Sequence, residues 1–369
     1  MLLIDVWVGL VGFAMILYVL LDGISLGVGL LFPTVADESE RSTLMATISP
    51  VWDANQTWLV FGGATIFAAF PLLFGILASA LYIPLMTFIM GLIFRGVTFE
   101  FRADATRKKP WDRAFFGGSL VAVLSQGAML GGILTGIKVS GRAFAGDPLD
   151  WLNPFSVMVA LALIPGYILL ASCYLIIKTT GSIQEQAYKH AFWSALAVLF
   201  FMGVVTVWTP FHYPLVWKQW FAPPRIYFVW CFPLLGLLAF YKLLGSLKTN
   251  REFAPLLCAV GLFLSGYFGL IASLYPYAIP PVITIWEAAA QRETLIFALW
   301  GAIIGLPVVL AYAIYSYSVF RGKVSEEGYY GSGGDVSEDG ASDRATRASI
   351  TVLPAFNLYV QLLTATCRA

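Results

Sequence analysis

Apolar positions along this chain come in long blocks, not in the alternation of half-buried strands or the single stripes of soluble helices. Runs of about 20 residues, long enough for a helix to cross a hydrocarbon core, fall at 7–31, 55–73, 75–95, 114–137, 156–177, 190–209, 227–246, 254–274 and 295–319. Nine such runs predict an all-α polytopic membrane protein with nine transmembrane helices, residues 1–324 forming one helical bundle. Beyond that the pattern breaks. The stretch GSGGDVSEDGASDRATRASI is polar and rich in Gly and Ser, a composition that cannot bury enough apolar surface to order itself. It predicts a disordered polar tail over 325–369, closed by TVLPAFNLYVQLLTATCRA, which is too short and interrupted for a further span.

Composition agrees with the pattern: 59% of the 369 residues are hydrophobic and 12% charged, against roughly a quarter charged in soluble domains. The net charge of +1 offers no basic surface for nucleic acid. Where the charges fall is more informative. With the N-terminus outside, the inner loops carry Arg41, Arg95, Arg102, Arg107, Lys108, Lys109, Arg113, Lys178, Lys189, Lys242, Lys248, Arg251, Arg321 and Lys323. The outer loops carry only Lys138, Arg142, Lys218, Arg225 and Arg292. The excess of basic residues on one side predicts an outside N-terminus and a cytoplasmic C-terminus. No basic segment precedes the first run and no small-residue cleavage site follows it, so it is expected to stay as a span.

Cys173, Cys231, Cys258 and Cys367 show no C-x-x-C pairing, which points away from a disulfide framework or a zinc site. Pro71, Pro84, Pro165, Pro233 and Pro307 predict bends that a packed bundle absorbs. Gly23 with Gly27, and Gly127, Gly131, Gly132 and Gly136, recur at about one-turn spacing and predict close helix contacts. The aromatic segment from Thr209 to Phe228 suits the headgroup zone, with a quinone or partner contact as the other reading.

Against this apolar background the ionisable groups stand out. Asp22 lies well inside the first run, where an ionised carboxylate costs at least about 2.5 kcal/mol and should face the bundle interior or a hydrated cavity. On a helix it shares a face with Ser25, Leu26 and Gly29. The second run opens with PVWDANQTWLVFGG, in which Asp53, Gln56 and Thr57 lie one turn apart between Trp52 and Trp58. The third ends in GLIFRGVTFEFR, where Arg95 is expected to pair with a nearby carboxylate, Glu100 being the local choice, and fix the register of the span end. Three spans thus bring Asp22, Asp53, Arg95 and Glu100 to the inner side, as a structural polar network or as a proton path, while Glu287 and Glu293 lie outside. The only histidines, His190 and His212, flank one run and cannot jointly clamp a haem. No phosphate-loop or dinucleotide glycine signature occurs.

The motifs LDGISLGVGLLFP, WDANQTWLVFGGATIFAAFP, GLIFRGVTFEFR, WEAAA and YSYSVFRGKV, in this order over residues 1–330, resemble subunit II of cytochrome bd-type quinol oxidases. The resemblance is strongest to the branch that includes the cyanide-insensitive enzymes. It implies a multi-pass bacterial inner-membrane subunit that forms a heterodimer with a haem-bearing subunit I and accommodates small single-span accessory subunits and membrane lipids. That complex oxidises quinol at the outer face and reduces oxygen to water electrogenically. Subunit I would hold the two b-type haems and the d-type haem, or b in place of d, and this chain would bind none directly.

Carried over by position, the resemblance implies that Asp53 serves a proton route from the cytoplasm and that Trp58, with Trp52 beside it, lies near the partner haem and the oxygen path. Asp22 matches the first acid of the family's first-span signature, and Glu287 stands where an aspartate is usual. Ser25 replaces the second acid of that signature, and a hydroxyl can hydrogen-bond a water chain but cannot hold a negative charge. Ala54 replaces a glycine, and the tail has no counterpart. A stand-alone proton- or cation-coupled secondary transporter is the alternative, although no internal repeat of the kind such folds use is visible.

Overall fold

The computed structural model describes residues 1–324 except 213, with no account of the side chains at 212, 214, 215, 218 and 219. The expected polar tail, 325–369, lies outside the described residues. The chain divides into a unit Met1–Lys323, which holds the whole helical bundle, and a second unit from Val324 onward.

Helix α1, Leu2–Leu31, runs from what we call the upper end of the bundle to the lower end, where a 3-10 turn, Phe32–Thr34, and the short α2, Glu38–Ile48, cross beneath it. Helix α3, Trp52–Ala69, returns upward, and α4, Pro71–Ala80, breaks away at 117°. Helix α5, Tyr82–Asp104, descends and α6, Lys109–Leu134, ascends to a two-stranded hairpin of β1, Val139–Ser140, and β2, Ala143–Phe144. Helices α7, Pro154–Lys178, and α8, Gly181–His212, form the next down-and-up pair. At the upper end lie α9, Pro214–Phe221, and α10, Arg225–Val229. Then α11, Cys231–Lys248, descends and α12, Ala254–Leu274, ascends. A second hairpin, β3, Tyr277–Ile279, with β4, Ile283–Thr284, and the one-turn α13, Ile285–Ala288, precede α14, Arg292–Val319, which descends.

Among the described residues, eight helices are long and apolar enough to cross a membrane, and the bent α3–α4 pair makes a ninth if taken as one span. The expected span at 75–95 is shifted: the crossing helix is Tyr82–Asp104, and the apolar residues before it belong to α4. Pro71 has no N–H to continue α3, so the helix ends at Ala69 although the apolar run does not. One of the carbonyls this leaves open, Ala69 O, accepts a bond of 2.9 Å from Ala290 N–H.

Glycines decide which helices touch. A Cβ on Gly27 would overlap the carbonyl oxygen of Tyr167 on α7, and one on Gly29 would overlap Ser119 Oγ on α6. Gly91 of α5 and Gly118 of α6 face each other, each leaving only 2.7 Å between an added Cβ and the other's carbonyl oxygen. Gly127 and Gly131 sit against Ala160 and Ser156 of α7 in the same way. The lower half of α1 is therefore enclosed by α3, α5, α6 and α7, and every residue from Asp22 to Phe32 is buried.

Candidate functional site

The enclosed half of α1 holds the main charge of the bundle core. Asp22 receives two hydrogen bonds from Arg95 on α5, Nη2 to Oδ1 at 2.8 Å and Nη1 to Oδ2 at 3.2 Å, and both side chains are 0% exposed. The two parallel N–H donors of a guanidinium match the two oxygens of a carboxylate, so each charge neutralises the other where water cannot. Arg95 reaches Asp22 because Gly91, one turn earlier on the same face, lets α5 lie against α6. The Tyr18 hydroxyl lies near the same carboxylate, outside direct hydrogen-bond geometry, and Tyr167 donates to Gln126 Oε1 at 2.9 Å.

The expected pairing of Arg95 with Glu100 does not occur. Residues 95 and 100 lie five positions apart, which turns their side chains to different faces of α5; Arg95 points into the bundle and Glu100 is exposed without an ion pair among the described residues. The lower mouth of α5 is held instead by Arg102, whose Nε donates to Asp112 Oδ1 at 2.7 Å and whose Nη2 donates to Glu38 Oε1 at 2.8 Å. Arg41 donates to the other oxygen of Asp112 at 3.0 Å. Between the two buried arginines runs an aromatic column: Trp52 stacks on Phe99 at 4.8 Å, Phe99 meets Phe115 edge-on, and Phe115 meets Phe32. Arg95 lies over the Phe99 ring and Arg102 over the Phe32 ring.

Ser25 sits one turn below Asp22 and is fully buried. Its partner is Asn55 of α3, a residue that the spacing does not single out. Asn55 Nδ2 donates to Ser25 Oγ at 3.2 Å and to Leu21 O at 3.0 Å, while its Oδ1 accepts from the Tyr317 hydroxyl of α14 at 3.0 Å. One amide thus joins α1, α3 and α14. The signal available in the sequence is the Asn inside WDANQTW, a polar side chain at a position that a helix beginning at Trp52 turns inward.

Asp53 and Gln56 are treated differently by the fold. Asp53, in the first turn of α3, is exposed and within electrostatic range of Tyr312 on α14. Among the described residues, no hydrogen bond or ion pair connects it with Asp22. Gln56 is half-buried and its Nε2 has no partner among the described residues. Trp58 is 1% exposed, edge-on to Phe13 and Phe61, with an indole N–H that likewise finds no acceptor among them. At the upper end Glu287 closes a capping box with Thr284, whose backbone N–H and hydroxyl both donate to it at 2.8 Å. The backbone N–H first and the hydroxyl second hold this carboxyl below the usual glutamate range. At the lower end Lys323, after α14, donates to Glu252 and to Thr179 O, and Gln184 donates to the same glutamate at 3.0 Å.

A bundle of eight or nine apolar helices tied internally by a buried carboxylate–guanidinium pair defines a multi-pass integral membrane subunit. The family model for cytochrome bd terminal oxidase subunit II matches residues 3–320, and the chain belongs to that family. Cytochrome bd-I ubiquinol oxidase subunit 2 of Escherichia coli (strain K12) is 25% identical over 367 residues, covering 87% of this chain and 95% of that protein. Cytochrome bd ubiquinol oxidase subunit 2 of Bacillus subtilis (strain 168) is 27% identical over 337 residues, covering 88% and 97%. The structure of bd oxidase from Geobacillus thermodenitrificans shares the fold at a TM-score of 0.69 and 18% identity, covering 87% of this chain and 99% of that one.

Membership makes this chain a multi-pass protein of the bacterial inner membrane, acting in a respiratory quinol oxidase complex that contains haem and a subunit I. The two histidines of the chain are too far apart to ligate one haem together. His190 and His212 both belong to α8, 22 positions apart, a separation of about 33 Å along a helix.

Proposed function

We propose that this subunit forms a heterodimer with a subunit I that carries all the haems of the complex, and that it contributes a protonatable station, Asp53, to proton uptake from the cytoplasm. The lower end of the bundle is then the cytoplasmic end and the N-terminus lies outside, as the distribution of basic residues in the loops indicates. The observation that carries the reading is the contrast between two carboxylates. Asp22 is enclosed and already neutralised by Arg95, whereas Asp53 is exposed, with no ion pair among the described residues, at the end where α3 begins. A group that exchanges protons needs access and must not be locked to a fixed cation; Asp53 meets both conditions and Asp22 meets neither.

In this reading Asp22 and Arg95 hold α1 to α5, and the Asn55 amide, with Ser25 and Tyr317, holds the first turn of α3 so that Asp53 keeps its place. Trp52 and Trp58 are the α3 side chains this reading assigns to the neighbourhood of the partner's haem and the oxygen path, and quinol oxidation at the outer face leaves protons on the side opposite the uptake. A cation-transport role has less support, because the enclosed acid that would bind the cation is taken up by Arg95.

The test is Asp53→Asn in the intact complex, which removes the titratable site while nearly preserving volume. Quinol-dependent oxygen consumption and proton uptake are expected to fall and to change their pH dependence, with the haem spectrum unchanged. An unaltered pH profile in a fully assembled complex would remove Asp53 from the path.

A further inference from the structure

The lower corner between α5 and α6 carries a surface that neither the core pairings nor the proton station uses. On α5 the exposed residues Met90, Phe94, Val97 and Phe101 follow one another at four, three and four positions, a single stripe down one face. The stripe ends at Phe101, which stacks on Trp111 of α6 with ring centroids 5.4 Å apart and planes 14° from parallel. Beside the stripe, α6 offers Gly117, where a Cβ would meet nothing within 4 Å, and exposed Val121. Immediately past the aromatic stack come Arg107, Lys108, Lys109 and Arg113.

These cations differ from the arginines beside them. Arg102 and Arg41 are consumed by Asp112 and Glu38, and Lys108 lies 3.4 Å from Glu38. Arg107, Lys109 and Arg113 are exposed and have no carboxylate partner among the described residues. Glu100 and Asp104 are the exposed acids beside the stack, two against the three open cations, so the corner stays net positive.

We propose that this corner binds the headgroup of an anionic phospholipid of the surrounding bilayer. An acyl chain lies along the exposed α5 stripe, the Phe101–Trp111 stack marks the depth of the glycerol zone, and Arg107, Lys109 and Arg113 hold the phosphodiester. An apolar stripe, an aromatic pair and a cation cluster in that order match the order of parts in a phospholipid. The negative headgroup supplies the partner that the three cations lack. A site of this kind anchors the α5–α6 corner at a fixed depth, and with it the Arg102–Asp112 network at the mouth of the bundle.

The intact complex, reconstituted in nanodiscs of phosphatidylglycerol and phosphatidylcholine in equal amounts and probed by native mass spectrometry, tests this. The wild-type complex is expected to retain phosphatidylglycerol preferentially. Arg107→Gln/Lys109→Gln/Arg113→Gln is expected to lower that retention about tenfold or more, while Lys138→Gln/Arg142→Gln at the opposite end leaves it unchanged. In parallel, the fluorescence contributed by Trp111, taken as the difference from Trp111→Phe, is expected to be quenched more by brominated phosphatidylglycerol than by brominated phosphatidylcholine. Equal retention by wild type and triple variant overturns the proposal, as does equal quenching by the two lipids. So does a photo-crosslinker attached at Val97→Cys that captures another subunit instead of lipid.

Discussion

Asp22 and Arg95 are 73 residues apart in sequence and meet through two hydrogen bonds with neither side chain exposed. Such a pair is worth little against an apolar pair of the same shape but a great deal against its own half. Asp22→Asn and Arg95→Met are each expected to destabilise the bundle by about 3–5 kcal/mol, because each leaves an unmatched group in the core. Asp22→Leu/Arg95→Met is expected to recover most of that loss, read as the thermal midpoint of the purified complex in detergent.

Helix contacts at glycine give a sharp pair of outcomes. Gly27→Ala places a methyl on the Tyr167 carbonyl and is expected to cost about 1–3 kcal/mol or more, lowering the yield of assembled complex. Gly301→Ala, where a Cβ meets nothing within 4 Å, is expected to be neutral or to stabilise α14 by up to about 1 kcal/mol. Size-exclusion profiles and thermal midpoints distinguish the two.

The Asn55 junction predicts a graded loss. Tyr317→Phe removes the donor to Asn55 Oδ1 and is expected to cost about 1–3 kcal/mol. In an Asn55→Ala background the same change should cost clearly less, since the acceptor is already gone; a double-mutant cycle on thermal stability measures the difference.

Glu252 gives a pH dependence. The hydrogen bond from Lys323, and after it that from Gln184, hold its carboxyl below the usual glutamate range. A depressed carboxyl contributes stability above the unfolded value of about 4.3 and loses it as pH falls through the lower folded value. Thermal midpoints recorded from pH 6 down to pH 3 are therefore expected to fall less steeply for Glu252→Gln than for wild type.

The bundle itself is legible because apolar run length is a direct consequence of bilayer thickness, and the family is legible from five ordered motifs, of which the first lies on the enclosed half of α1. The break at Pro71 is harder to read: α4 is as apolar as its neighbours, so hydropathy cannot separate a turn away from the span from its continuation. Arg95 stands out as a residue that must find an anion, but its partner comes from α1, since local spacing speaks only to neighbours on the same helix. Asn55 escapes notice because an amide carries no charge to mark its cost, yet it makes three hydrogen bonds across three helices. The basic residues at the α5–α6 corner are legible as a sign of sidedness; only the fold separates those already paired from those left open.

The carbonyl of Ala69, left open where α3 stops, is met by the N–H of Ala290, 221 residues later in the chain. Synthesis reaches the first of these residues long before the second. During biogenesis the exit of α3 must wait, covered by a chaperone, by lipid headgroups or by water, until nearly the whole chain has emerged. A subunit cut short before Ala290 would present that seam to the quality-control proteases of the membrane, however well its earlier helices had been inserted.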